Sequence, residues 1–313
     1  MVGTALALFL GASFVAVLNN ASLALSALQC LREDLRRLAL LASFAGWVAG
    51  YVVEGPNFNL PRVGNLEVYL VSLCLTTILT LVNYPTSVTQ LYVSALLGYS
   101  LASGYGEGVY AVARVVLSWV LSIFAGVLLS AAVYRLLKLV FSYLSISKAL
   151  ALFRVVTFAY VFLLSYVLGG NLLGFLASLL GVSSRLGVVV PTSAVTALAL
   201  LAAQVWRAPL SLARILFPTR YISTLTPYTV ALVLTQVANR LGVPLVVSLV
   251  MFSATLGTGV SSSSSLLYKR RVALYVLLAY VVPVIVSLLV SYAITLTVEG
   301  LTTQGSVELE AFT

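Results

Sequence analysis

The sequence predicts an all-α integral membrane protein built from two inverted-topology repeats with interrupted helices. Three observations support this fold class. The 313 residues are 61% hydrophobic and 8% charged, with a mean hydropathy of +1.12, whereas soluble domains carry about 25% charged residues. Uncharged stretches long enough to cross a bilayer recur along the chain. Proline, serine, glycine and aromatic residues also recur at matching positions in the two halves.

The composition argues against the usual chemistry of hydrolytic and metal-dependent enzymes. The chain has no histidine and only 8 aspartate and glutamate residues, so residues for metal clusters, histidine-activated nucleophiles and paired carboxylates are scarce. We expect a protein that is not an enzyme and that holds no metal or cofactor. Cys30 and Cys74 are predicted to be small buried hydrophobic residues rather than a disulfide.

The charged residues divide the chain into candidate membrane segments. About 20 helical residues cross the hydrocarbon layer, so the uncharged stretches 68–106, 155–184 and 241–268 are long for single spans. Breaks are expected at Asn83-Tyr84-Pro85, at Gly169-Gly170-Asn171, and near Gly257-Thr258-Gly259 with the serine run 261–265. We expect nine to twelve membrane segments, several of them interrupted, with no acidic residue inside any span.

Basic residues indicate the orientation of the chain in the cell membrane. By the positive-inside rule the connections that carry them are cytoplasmic and both termini lie outside. The predicted division is a first membrane repeat (1–140), a cytoplasmic connector (141–154), a second, inverted repeat (155–298) and an extracytoplasmic tail (299–313). The net charge of +9 therefore reflects topology rather than a nucleic-acid-binding surface. A homo-oligomer is compatible with this organisation.

An internal repeat relates the two halves. The segment Ser94–Gly98 recurs as Ser253–Gly257, and each begins nine residues after a proline. In the same alignment Trp119 corresponds to Tyr280, and Asn19-Asn20 corresponds within a residue to Gly170-Asn171. The first asparagine segment is predicted to run inward and the second outward, which makes the repeats inverted, as in many secondary transporters.

These motifs resemble those of the inorganic phosphate transporter (PiT) family. Residues 85–98 resemble the family's P-x-S-T-T-H-x-x-x-G motif, residues 117–122 its S-W-V-L-S-P motif, and residues 225–244 its L-T-P…R-L-G-x-P run. The order and spacing of the motifs cover nearly the whole chain. The resemblance implies a secondary transporter of inorganic phosphate or a similar, sulfate-like oxyanion.

The sequence departs from the family where ligands are held. The family motif G-A-N-D-x-x-N reads Asn19-Asn20-Ala21-Ser22-Leu23 in the first half and Asn171-Leu172-Leu173-Gly174-Phe175 in the second. A family glutamate falls at or near Trp47. Matching position by position, the resemblance implies substrate-binding roles for Asn19, Ser87, Thr89, Asn171 and, conservatively, Ser248. Asn20, an amide where the family has an aspartate, is a further substrate-binding candidate.

An anion inside a bilayer needs fixed donors in place of its water. The N-terminus of a half-helix supplies free N–H groups and a positive dipole end, and Pro85 is predicted to start such a helix with Ser87 and Thr89 in its first turn. Alternatively, these hydroxyls only bond back to helix carbonyls. Arg154 and Arg240 border spans and can reach an anion, although arginines at helix ends more commonly extend to the interface.

Ion coupling and a second function stay open. Neutral oxygens of Asn19, Asn20 and Thr89 can bind sodium as a coupling ion; otherwise transport is uncoupled. The alternative is a non-transporting paralogue that acts as a membrane scaffold or assembly partner. It predicts that apolar side chains fill the former site, namely Leu23, Leu172, Phe175, Val246, Val247 and Leu249.

Overall fold

The computed structural model describes residues 2–25, 33–60, 66–82, 84, 86–182, 186–205, 221–262 and 270–310. Within these ranges the chain is helical almost throughout and contains no β-strand. The described part has 6 helices long and apolar enough to cross a membrane, together with shorter apolar helices. The predicted all-α, multi-pass membrane architecture is confirmed.

The helices follow one another in two comparable series. The first half contains α1 (Val2–Leu25), α2 (Glu33–Glu54), a 3-10 turn (Gly55–Asn57), α3 (Leu66–Leu81), α4 (Val88–Ala102) and α5 (Gly106–Ser142). The second half contains α6 (Ile146–Leu168), a π-helical segment (Gly169–Gly174), α7 (Phe175–Leu179), α8 (Leu186–Val205), α9 (Tyr221–Arg240), α10 (Val247–Ser261) and α11 (Arg270–Glu310).

Each half contains a hairpin of two helices, of which the second is short. Helix α3 packs against α4, and α9 packs against α10. Helices α4 and α10 have 15 residues each, about 22 Å at 1.5 Å per residue, which is shorter than the hydrocarbon layer of about 30 Å. We call the start of α4 with residues 86–87 the first tip, and the start of α10 with residues 241–246 the second tip.

The break expected near Gly257-Thr258-Gly259 and the serine run lies at the start of the serine run and not at the glycines. Helix α10 runs without a break through Gly257-Thr258-Gly259 and ends at Ser261, and a further interruption, the segment 241–246, precedes it. Gly257 serves close packing instead, because a Cβ there would meet Ser130 Oγ and the Val127 carbonyl of α5. Of the other expected breaks, residues 83 and 85 and most of the serine run lie outside the described residues.

The expected break at Gly169-Gly170-Asn171 is also wrong. The backbone there continues as a π-helical segment that joins α6 to α7. Helix α2 passes so close that a Cβ at Gly169 would meet the Trp47 carbonyl. A Cβ at Gly50 would likewise meet the Tyr166 carbonyl. These glycines permit the contact between helices α2 and α6 rather than ending a helix.

The long last helix of each half packs along the short helix of the other half. Ser287 and Ser291 of α11 donate to the carbonyl oxygens of Leu91 (2.8 Å) and Ala95 (2.7 Å) in α4. The corresponding contact in the other half joins α5 to α10, where a Cβ at Gly126 would meet Ser253 Oγ. The two halves of the chain are therefore interlocked.

Some predicted boundaries fall inside helices. Only residues 143–145 separate α5 from α6, so most of the predicted connector 141–154 is helical. Helix α11 extends to Glu310 through most of the predicted tail. The division into repeats and the orientation in the membrane stay predictions. Cys74 is exposed on α3 rather than buried, and Cys30 lies outside the described residues.

The contact between α4 and α11 yields a test of the fold. A Cβ at Gly98 would meet the Leu288 carbonyl and lie 3.1 Å from Ser291 Cβ, so Gly98→Ala pushes α11 away from α4. We expect the free energy of unfolding to fall by about 1–3 kcal/mol, as for other overpacked cores. The change is measured as a lower thermal midpoint of the detergent-purified protein. Gly187→Ala is the control, because its Cβ would meet nothing within 4 Å. Equal midpoints for the two variants would contradict the packing.

Candidate functional site

The first tip presents unused donors at the start of α4. Ser87 is the N-cap residue and is buried, but its side chain makes no capping hydrogen bond. Thr89 is fully buried and its Oγ1 has no hydrogen-bond partner among the described residues. The Asn19 amide holds this segment in place by donating to the Thr86 carbonyl at 3.2 Å. The first turn of a helix also has free backbone N–H groups.

The second tip is held in the same way. Asn171 lies fully buried in the π-helical segment, and its amide lies 2.8 Å from the carbonyl oxygen and 3.1 Å from the backbone nitrogen of Leu245. With its nitrogen toward that carbonyl, the amide satisfies both backbone groups. The N-cap residue of α10 is Val246, whose side chain has no polar atom. The asparagine of each half therefore holds the loop that precedes the short helix of the same half.

Two aromatic residues from the long helices reach the second tip. Trp119 of α5 donates through Nε1 to the Pro244 carbonyl at 2.8 Å. Tyr280 of α11, its partner in the repeat, lies beside the Ser248 side chain. Tyr280 lies two turns before Ser287, on the face of α11 that packs along α4. This contact links the first turn of α10 to α11, the helix that packs along α4.

The structure groups most of the predicted site residues around the tips. Asn19, Ser87 and Thr89 lie at the first tip, and Asn171 and Ser248 lie at the second. Asn20 instead donates to the Ala16 carbonyl within α1, at 2.9 Å. Substrate binding by these residues stays a prediction.

The apolar packing expected of a scaffold is also present. Five of the six side chains that the alternative names are buried in the main core, and Leu23 packs against that core. The five are Leu172, Phe175, Val246, Val247 and Leu249. The motif positions that have lost polar side chains are therefore filled by apolar ones.

The expectation of no acidic residue inside a span is wrong. Glu54 is fully buried at the end of α2, inside a candidate span. Its Oε1 accepts from the Tyr166 hydroxyl at 2.9 Å and from Gln236 Nε2 at 3.1 Å, and its Oε2 accepts from Asn57 Nδ2 at 2.9 Å. Arg240 Nη2 lies 3.2 Å from Oε1. A buried charge is tolerated when it is paired and hydrogen-bonded, and all four partners are donors.

Three residues in the last turn of α9 form what we call the clasp: Gln236, Asn239 and Arg240. Asn239 donates to the Val167 carbonyl at 2.9 Å and contacts the Asn171 amide at 3.0 Å, while the other two residues bind Glu54. The spacing i, i+3, i+4 puts all three on one helix face. The clasp thus ties the end of α9 to α2, α6 and the π-helical segment.

Sequence reasoning missed Glu54 because it treated charged residues as span boundaries. An arginine at a helix end is expected to extend to the interface. Arg240 instead pairs with a buried carboxylate, although its own side chain is 66% exposed. The sequence pattern that could have indicated a buried acidic partner is the clasp. An amide, a second amide and an arginine on one face of an otherwise apolar segment are costly in a membrane unless they have partners.

A cavity of about 620 Å³ opens beside the second tip. Its lining includes the charged residues Glu107 and Arg114, the amide Asn57 that binds Glu54, and the second-tip residues Leu241, Gly242, Val243 and Pro244. None of the six predicted site residues lines it. The cavity therefore adjoins the second tip and Asn57, a donor to Glu54, rather than the side chains that were predicted to bind substrate.

Comparison with known proteins gives a structural match alone. No protein-family model matches the sequence, and no curated protein matches it. The structure is similar to a solved structure described as the sodium-dependent phosphate transporter, with a TM-score of 0.66 at 16% sequence identity. The match covers 94% of this chain and 98% of that chain. The chain therefore shares the fold of that membrane transporter over nearly its whole length.

Proposed function

We propose that the protein is a secondary transporter that moves inorganic phosphate or a similar oxyanion across the membrane. The observation that carries the proposal is the first turn of α4, where the fully buried Thr89 hydroxyl has no hydrogen-bond partner among the described residues and Ser87 does not cap the helix. Unpaired polar groups are costly in a bilayer, and an anion ligand would satisfy them. The fold shared with a sodium-dependent phosphate transporter supports the same function.

The proposed site uses neutral donors. A helix N-terminus carries a positive dipole end of about half an elementary charge, and the Ser87 and Thr89 hydroxyls add rotatable donors. At the second tip the first turn of α10 adds backbone N–H groups and the Ser248 hydroxyl. These groups can replace the water around an oxyanion without a buried cation.

The interlocked repeats offer a route to alternating access. Each hairpin packs along the long helix of the opposite half, so rocking of one repeat against the other moves one tip relative to the other. In inverted-repeat transporters such rocking exposes the binding site to the two sides in turn.

Sodium is the ion that we propose to drive transport. Sodium prefers oxygen ligands, and Thr89 Oγ1 at the first tip has no partner among the described residues. Asn19 uses its amide nitrogen to bind Thr86, which leaves its amide oxygen for a cation. The description of the similar structure as sodium-dependent supports this choice.

The alternative function is a membrane scaffold that no longer transports. The buried packing of Leu172, Phe175 and Val246 favours it, because these apolar side chains occupy positions where the resembled family has ligands. Transport assays on the same preparation separate the two functions.

Loss of the Thr89 hydroxyl should weaken anion uptake. Thr89→Val keeps the shape of the side chain but removes its donor, and a hydrogen bond to a charged group contributes about 1.5–3 kcal/mol. We expect the half-saturation concentration for labelled phosphate uptake by proteoliposomes to rise about ten-fold or more. Thr157→Val is the matched control, because Thr157 on α6 is also buried and its hydroxyl has no partner in the described part of the chain.

Two results would contradict this prediction in different ways. Equal uptake by the Thr89→Val variant and by the control would remove the first tip from the site. Absence of both phosphate and sulfate uptake by the folded wild-type protein would reject oxyanion transport and favour the scaffold.

Sodium coupling has its own test. Proteoliposomes with an inward sodium gradient should accumulate labelled phosphate above its equilibrium level, because ion and anion are carried together. Replacing external sodium with N-methyl-D-glucamine should abolish the accumulation. Accumulation under a proton gradient alone would show a different driving ion, and uptake that only equilibrates would show an uncoupled carrier.

A further inference from the structure

We propose that Arg240 is a ligand for the transported oxyanion and that Glu54 holds it when no anion is bound. In this scheme Arg240 exchanges a carboxylate inside the protein for an oxyanion that enters through the cavity. The inference rests on the proposed transport function, to which it adds an access route and a positively charged ligand.

Arg240 has the freedom that such an exchange needs. Its side chain is 66% exposed while its carboxylate partner is fully buried. The ion pair is a single contact, from Nη2 to Oε1 at 3.2 Å, rather than a bidentate pair. A guanidinium carries five N–H donors in a planar fork that also fits an oxyanion, so most of its donors are not engaged by Glu54.

Glu54 stays satisfied when Arg240 leaves. Its Oε1 still accepts from Tyr166 and Gln236, and its Oε2 still accepts from Asn57. Removing one partner of a buried ion pair is costly mainly because the other charge is left unpaired. Three neutral donors reduce that cost, which makes exchange between two acceptors physically reasonable.

The cavity lies next to the Arg240–Glu54 pair, although Arg240 itself is not among its lining residues. Arg240 is the last residue of α9, and the next four residues, 241–244, line the cavity. Asn57 lines the cavity and also donates to Glu54, so one carboxylate separates the arginine from the cavity wall. Arg114 in the same wall adds positive charge along the route, and Glu107 adds negative charge.

The exchange would also loosen the second tip. With Arg240 turned toward the anion, the clasp keeps only the amide contacts of Gln236 and Asn239 between α9 and its neighbours. Anion binding and the position of the α9–α10 hairpin are thereby linked through one side chain.

The test depends on opposite effects of the two partners. Arg240→Gln should raise the half-saturation concentration for phosphate uptake about ten-fold or more, because a charged ligand is lost. Glu54→Gln should lower it several-fold, because the competing carboxylate is gone. Arg240→Lys should lie between wild type and Arg240→Gln, since lysine keeps the charge but not the fork. Arg135→Gln, which removes an exposed arginine on α5, is the control and should match wild type.

A second measurement does not require transport. Phosphate should raise the thermal midpoint of the wild-type protein in detergent, and Arg240→Gln should lose most of that increase. If Glu54→Gln does not fold, the two Arg240 variants and this measurement carry the test.

The outcomes separate the inference from the proposed function. Shifts of the same sign in Arg240→Gln and Glu54→Gln would mean that the ion pair is only structural, and wild-type behaviour of Arg240→Gln would exclude it as a ligand. Either result overturns the inference while uptake by the wild type stands. A wild type that neither transports nor is stabilised by phosphate or sulfate overturns both.

Discussion

The packing of each long helix against the short helix of the opposite half is the contact on which the rest of the structure depends. Small side chains make it possible: glycine admits the neighbouring backbone, and serine donates to a carbonyl one helix away, as Ser287 and Ser291 do. Lipid tails provide no hydrophobic driving force between helices, so close approach and interhelical hydrogen bonds drive association. Because α4 and α10 are each shorter than the hydrocarbon layer, both tips depend on these contacts for their position.

Much of the fold could be predicted from the sequence because its packing rules leave visible marks. The pairing of Ser94–Gly98 with Ser253–Gly257 reflects two helices that meet equivalent neighbours. The breaks were harder to predict, because glycine is used both where a helix ends and where helices touch. Gly169 and Gly257 permit helix contacts, and only the three-dimensional arrangement distinguishes these uses.

The candidate site was predicted in part. The asparagine and hydroxyl positions follow from the motifs, and the structure gathers most of them at the tips. Glu54 and the clasp were missed because a charged residue is taken to mark the end of a membrane span unless its hydrogen-bond and ion-pair partners are known. Apart from Asn57, those partners come from α6 and α9, more than a hundred residues away for Tyr166, and no local sequence pattern indicates them. The two tips consequently differ, since the first has neutral donors while the second has an ion pair beside it.

The direction of the Asn171 side chain depends on the number of residues in the π-helical segment. A π-helical turn contains one residue more than an α-helical turn, and each residue rotates an α-helix by about 100°. Deleting a single residue between Gly169 and Gly174 would restore a regular helix and turn Asn171 away from Leu245. The second tip would lose its contact with Asn171 although every helix remained, so a one-residue deletion here is a larger change than most substitutions.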